Sequence, residues 1–171
     1  EGAIGQVSGD PAPGAEVLVQ SKDAQPIGRG LFNPNSNIRV RMFSWDKDEP
    51  INEALFAARI NEAATLRESI VDPKTTSACR VFFSESDGLS GLIVDRYGDW
   101  LLVQLTSLAL AERREVLFDL LEKRFAPRGI WLRTEKGIRE AEGLEIADGL
   151  VRGEEPRSEE RRVGKECRIG C

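Results

Sequence analysis

Histidine is missing from all 171 residues. That excludes Ser-His-Asp triads, Cys-His dyads and every metal site built on imidazole. Cysteine is scarce, at three, and two of the three sit in the last five residues, leaving Cys79 alone in the body of the chain. One thiol makes no disulfide and no metal site, which suits a reducing compartment. Long apolar runs are missing too: the longest stretches, such as residues 101–105, are strand-sized, and a membrane helix needs about 18 or more. The chain starts Glu1-Gly2-Ala3-Ile4, without an initiator methionine or the basic and apolar regions of a secretory leader. A piece that begins inside a longer reading frame is expected.

What is present describes a globular protein: 40% hydrophobic and 31% charged residues. The last fifteen residues stand apart. Arg157-Ser158-Glu159-Glu160 is the translation of the start of a common sequencing adapter, so residues 157–171 are expected to be foreign to the protein. The whole chain has 24 basic and 29 acidic residues; the tail holds five and three of them. Residues 1–156 therefore carry 19 against 26, a net charge of −7. Such a balance excludes a histone-like polycation but not a local basic stripe, because affinity for nucleic acid follows where the charge sits.

Periodicity predicts three short strands in the first third, over residues 14–20, 27–32 and 37–44, separated by Gly/Pro/Asn turns. In the third of these, Ile38, Val40 and Met42 fall on one face and Arg39 and Arg41 on the other. A linker over 46–50 leads to a helix capped by Asn52 and running to Ile70, with Leu55, Phe56, Ile60, Ala63, Leu66 and Ile70 as its apolar stripe. Arg59 and Arg67 project into the same sector, where pairing with Glu62 or its neighbours is the expectation. Asp72-Pro73 ends that helix. A strand over 80–83 and a hairpin over 92–105 turning at Tyr97-Gly98-Asp99 follow. Then come one helix over 109–125, a strand over 130–133, and loop with a short strand over 136–153.

Catalytic patterns are scarce. Gly88-Leu89-Ser90-Gly91 is not a nucleophile elbow, because Gly91 follows the serine directly and no histidine can activate it. No phosphate-cradling glycine loop follows a strand. Asp87, Asp95 and Asp99 read as turn and structural carboxylates, and Cys79 has no base beside it. The better candidates are basic. Strand alternation places Arg39 and Arg41 roughly 7 Å apart on one face, about the spacing of successive phosphates on a strand, and Arg29 and Lys22 on the neighbouring hairpin extend the stripe. A solvated charged face is the alternative that spacing leaves open.

Residues 84–99, SESDGLSGLIVDRYGD, closely resemble a signature of the large-subunit rRNA cytosine-C5 methyltransferase family. The resemblance extends upstream through Arg29-Gly30-Leu31-Phe32-Asn33-Pro34 and Asn37-Ile38-Arg39-Val40-Arg41, and downstream through Glu142-Gly143 to about Pro156. Ser90 stands where the family usually has proline, and Ser84 where glycine is common. The resemblance implies an α+β chain. Residues 1–48 would form a PUA-like RNA-binding β-barrel whose opening elements precede Glu1, leaving an unpaired edge. Residues 49–156 would form a linker helix and central α+β domain, with the Rossmann-like methyltransferase domain absent. It implies S-adenosyl-L-methionine as cofactor of the full-length protein but none bound here, and no catalytic residue in this stretch. It also implies large-subunit ribosomal RNA as partner, with Arg39, Arg41, Arg29 and Lys22 as its contacts, a cytoplasmic location and no membrane. Family chemistry adds a thiolate to carbon 6 of an unstacked cytosine, and both thiolate and cofactor pocket belong to the absent domain. A non-catalytic PUA-type RNA-binding protein, or a related methyltransferase acting on another rRNA or tRNA site, remains the alternative.

Overall fold

The computed structural model describes residues 4–72 and 74–155, so the adapter-like tail lies outside the described residues. Two sheets share the chain. The first holds β1 (Glu16–Gln20), β2 (Pro26–Phe32) and β3 (Val40–Ser44), antiparallel in that order. Ser21 organises the β1–β2 turn, its Oγ accepting the Asp23 and Gln25 amides. Glycine inside β2 serves close approach: a Cβ on Gly30 would lie 2.6 Å from Val40 Cγ1 and 2.7 Å from the Arg41 carbonyl oxygen. The sheet is open, with β1 and β3 at its edges, so the expected incomplete barrel is a three-stranded sheet among the described residues.

Helix α1 (Glu53–Ile70) begins where expected, with Asn52 Oδ1 accepting the Leu55 amide at 3.1 Å. Its stripe ends early. Leu55, Phe56, Ile60, Ala63 and Ala64 are buried, but Leu66 is 52% and Ile70 70% exposed. The reason is that the helix outruns the core it packs on: beyond Ala63 its apolar side faces an open groove, which Leu66 lines.

The second sheet runs β4 (Ala78–Phe83), β5 (Leu92–Tyr97), β6 (Trp100–Leu105), β7 (Gly129–Leu132) and β8 (Gly149–Gly153), neighbours in that order. A 3-10 turn over Ser84–Asp87 separates β4 from β5. The β5–β6 hairpin turns at Gly98-Asp99 with Tyr97 opposite Trp100, as predicted. That register sends Leu92, Val94, Leu101, Val103 and Leu105 into the core at 2% exposure or less. Only the β6–β7 pairing is parallel, and its crossover carries the helical stretch predicted as one helix. It is two, α2 (Leu108–Glu112) and α3 (Arg114–Phe125), broken at Arg113. The Arg113 guanidinium donates to the Ala109 carbonyl and, across to the first sheet, to the Gly14 carbonyl. Residues expected to form only loop before β8 include α4 (Lys136–Glu142).

One buried cluster spans both sheets. Phe43 of β3 meets Phe56 of α1 edge to face, with centroids 6.5 Å apart and planes at 62°, which welds the first sheet to the helix that packs on the second.

Candidate functional site

Between β3, the second half of α1 and the 3-10 turn lies a groove of about 690 Å³. Its β3 wall is Ile38, Val40 and Met42; its helix wall is Arg59, Glu62, Ala63 and Leu66; Glu85, Asp87 and Ser90 close the third side. Trp45, the residue after Ser44, stands at the lip with 76% of its surface exposed.

The expected strand over 37–44 is shorter, since Ile38 and Arg39 precede β3, and burial within it does not alternate: Val40, Arg41 and Met42 are half-buried while Phe43 and Ser44 are both buried. Ile38 is 53% exposed, and Arg41 is not on a solvated face. Arg41 keeps only 14% of its side chain exposed; its Nη2 donates to Glu142 Oε1 at 2.9 Å and its Nη1 to Ser90 Oγ at 3.1 Å. Glu142 is buried, and its carboxylate also accepts Ser36 Oγ at 2.5 Å and Asn33 Nδ2 at 3.1 Å. Four side chains from the β2–β3 region and α4 thus close a buried latch between the two sheets. An alternating pattern cannot declare what a distant element will cover, and here a buried carboxylate claims Arg41.

The other expected contacts are dispersed. Arg39 precedes β3, half-buried, and donates to the Ile4 carbonyl at 2.9 Å. Arg29, in mid-β2, is held by Glu16 and donates to the Lys47 carbonyl. Lys22 is exposed in the β1–β2 turn, at the opposite end of the sheet from Arg39. The stripe of four is therefore not continuous: Arg41 leaves it for the latch, and the remaining three are spread along the sheet.

Around the groove each acid has a cation. Arg67 grips Asp87 with two bonds of 2.7 Å, and the same carboxylate accepts the Phe83 amide. Arg80 holds Asp95 across the β4–β5 pair. Both aspartates are thus tied to arginines, Asp87 in the 3-10 turn and Asp95 in β5, where the sequence pattern placed it. Arg59 pairs with Glu62 at 3.2 Å, and its Nε is buried without a partner. The Arg59 stem crosses Gly88, whose φ of +85° and 3.0 Å approach to Arg59 Cδ leave room for no side chain.

Glu85 has a depressed pKa. Partial burial opposes its charge, but hydrogen bonds from Ser84 and Ser90 and its own backbone amide, with the Arg41 charge, outweigh that and hold the carboxyl below its ordinary 4.5. A group with a lowered folded pKa contributes stability that is whole above the unfolded value and drains away as pH falls through the folded one. The melting temperature of Glu85→Gln is therefore expected to fall less than that of wild type between pH 5 and pH 3, as read by thermal scans at both pH values.

At the start of the parallel β6–β7 crossover, β6 passes into α2 through Thr106-Ser107 without a glycine. Cys79 lies half-buried on β4, packed against the core. Among the described residues no group of three His, Cys, Asp or Glu side chains could hold a metal, and no helix is long and apolar enough to cross a membrane. Sequence reasoning missed Asn33, Ser36, Glu142 and Trp45 as site residues. Glu142 had a signal in the Glu142-Gly143 pair shared with the methyltransferase family; a lone tryptophan beside a turn had none.

A family profile described as a PUA-like domain matches residues 1–45. The ribosomal RNA large subunit methyltransferase I of Vibrio parahaemolyticus is 35% identical over 153 residues, covering 90% of this chain and 38% of that protein. The Shewanella amazonensis protein of the same name is 36% identical over 153 residues, again 90% of this chain and 39% of the relative. The chain thus spans about two-fifths of the length of the curated relatives it matches. Among solved structures, a protein assigned as a methyltransferase and complexed with SAH superposes with a TM-score of 0.72 at 16% identity, over 85% of this chain and 36% of that one. A Streptococcus mutans protein assigned as a SAM-dependent methyltransferase gives 0.71, with the same identity and coverage. The resemblance first carried by residues 84–99 therefore holds across both sheets, and the α+β fold is that of methyltransferase-associated chains.

Proposed function

We propose, from a chain whose two sheets together match part of the ribosomal RNA large subunit methyltransferase I proteins, that these residues are the RNA-recognition portion of a SAM-dependent rRNA cytosine-C5 methyltransferase. The observation that carries the reading is the extent of the match, which covers 90% of this chain. The latch supports it physically. A module that grips RNA helps a distant active site only if its orientation is fixed, and Asn33, Ser36, Arg41 and Glu142 fix it through buried, charge-assisted bonds.

Catalysis belongs to residues beyond these. Methylating carbon 5 of cytosine needs a thiolate that adds at carbon 6 and a bound methyl donor. The described residues offer a core-packed Cys79 and no glycine between β6 and α2. Their part is affinity: unstacking a base costs a few kcal/mol, which contacts elsewhere on the RNA offset. Lys22, Arg29 and Arg39 are the proposed phosphate contacts, and large-subunit ribosomal RNA in the cytoplasm is the proposed partner.

Titration of a large-subunit rRNA fragment against the full chain over a range of salt tests this. Affinity is expected to fall as salt rises, and the combined Lys22→Ala, Arg29→Ala and Arg39→Ala variant to lose about 0.7–0.9 of log–log slope for each phosphate contact removed. Arg41→Ala is expected to lower the melting temperature and leave the slope alone. Salt-independent binding, or no binding by the folded chain, sinks the proposal.

A further inference from the structure

Resting on that RNA reading, we propose that the groove between β3 and α1 holds one unpaired nucleotide of a single strand, its base stacked on Trp45 and its phosphate paired with Arg59. An indole that is 76% exposed at the lip of a concave site is a large apolar plane left in water, and base–aromatic stacking is how single strands are commonly held. The adjoining wall of Ile38, Val40 and Met42 is apolar and lies along the same strand, so a stacked base would be covered on its edge as well as its face.

Charge distinguishes Arg59 from the other cations here. Arg41 is locked into the latch and Arg67 is committed to Asp87 by a two-pronged pair. Arg59 has only Glu62, a pair three residues apart on a helix whose acid is 66% exposed; its Nε, like that of Arg41, has no acceptor. Such a pair contributes little and is screened by salt, so a phosphate can displace it at small cost. One free aromatic plane and one exchangeable guanidinium match one nucleotide. A duplex offers no unstacked face, so the groove selects single strands.

The test uses the full chain, a labelled single-stranded oligoribonucleotide of mixed sequence and the same sequence as a duplex, with binding read by anisotropy at several salt concentrations. Trp45→Ala is expected to weaken single-strand binding by about 5- to 150-fold, the equivalent of one stacked base, with the salt slope unchanged because stacking is not ionic. Trp45→Phe is expected to keep most of the affinity. Arg59→Gln is expected to weaken binding and reduce the slope by about 0.7. Trp45 is exposed, so its variants should melt like wild type, which removes misfolding as an explanation. Unchanged single-strand affinity in Trp45→Ala, or duplex binding as tight as single-strand binding, overturns the groove assignment while leaving the RNA reading intact. Failure of the folded wild-type chain to bind either RNA overturns both.

Discussion

Glu142→Ala is expected to destabilise the chain by about 3–5 kcal/mol, among the largest effects of any single substitution outside the core. The carboxylate is buried, and it takes bonds from Arg41, Ser36 and Asn33. Its removal leaves a guanidinium that is 14% exposed without its main counter-charge and the Ser36 hydroxyl without its acceptor, while Asn33 keeps the backbone carbonyl of residue 142. Arg41 retains Ser90 and, at 3.5 Å, Glu85, but Glu85 is 67% exposed and its attraction is screened. Arg41→Ala is expected to cost less, because the carboxylate then keeps two neutral donors. The double variant should cost less than the two singles together by a kcal/mol or more, since the second change removes a group already orphaned. Urea unfolding of wild type, both singles and the double measures this. A cost under about 1 kcal/mol for Glu142→Ala would mean the latch is open to water. The consequence for function is orientation: the latch supplies the buried, charge-assisted bonds between the PUA-like sheet and α4, beside the apolar contacts of Leu31 and Phe43 and the Arg113 bond to Gly14.

Phe56→Ala should cost a similar 3–5 kcal/mol, for a different reason. Phe56 is 2% exposed and its partner Phe43 4%, in the edge-to-face pair that joins β3 to α1. Truncation removes apolar contact and leaves a cavity that backbone on either side can only partly close, because β3 is tied by the latch and α1 by its own core residues. Leu66→Ala, ten residues along the same stripe, should change stability by no more than about 0.5 kcal/mol, since Leu66 already faces solvent. Thermal or denaturant unfolding of the pair decides it. Equal costs at the two positions would mean that the stripe is buried to its end after all. Since a domain of this size is stable by only about 5–15 kcal/mol, either of the two large changes would unfold a measurable fraction of the chain.

Local patterns were legible where the chemistry is local. Asn52 announced the start of α1 because a cap is a bond between neighbours in sequence, and Gly98-Asp99 announced the hairpin because its turn and alternating flanks sit within a dozen residues. The helix over 109–125 was visible but its break was not, because Arg113 kinks it while bonding to Gly14, ninety-nine residues away. The α4 helix was missed because seven residues between turns carry too little apolar period to read.

The candidate site divides the same way. Sequence by itself determined that this is an α+β chain without histidine chemistry, that Arg41 lies on a strand, and that residues 84–99 resemble the rRNA methyltransferase signature. Tertiary structure decided which residues of β3 are buried, where Leu66 ends up, and that Glu142 claims Arg41 while Trp45 stands exposed at a groove. Alternation records only that two faces differ; burial is a relation between elements far apart in sequence. A carboxylate on α4 turns an arginine from a candidate RNA contact into a structural one through the free energy of pairing a buried charge.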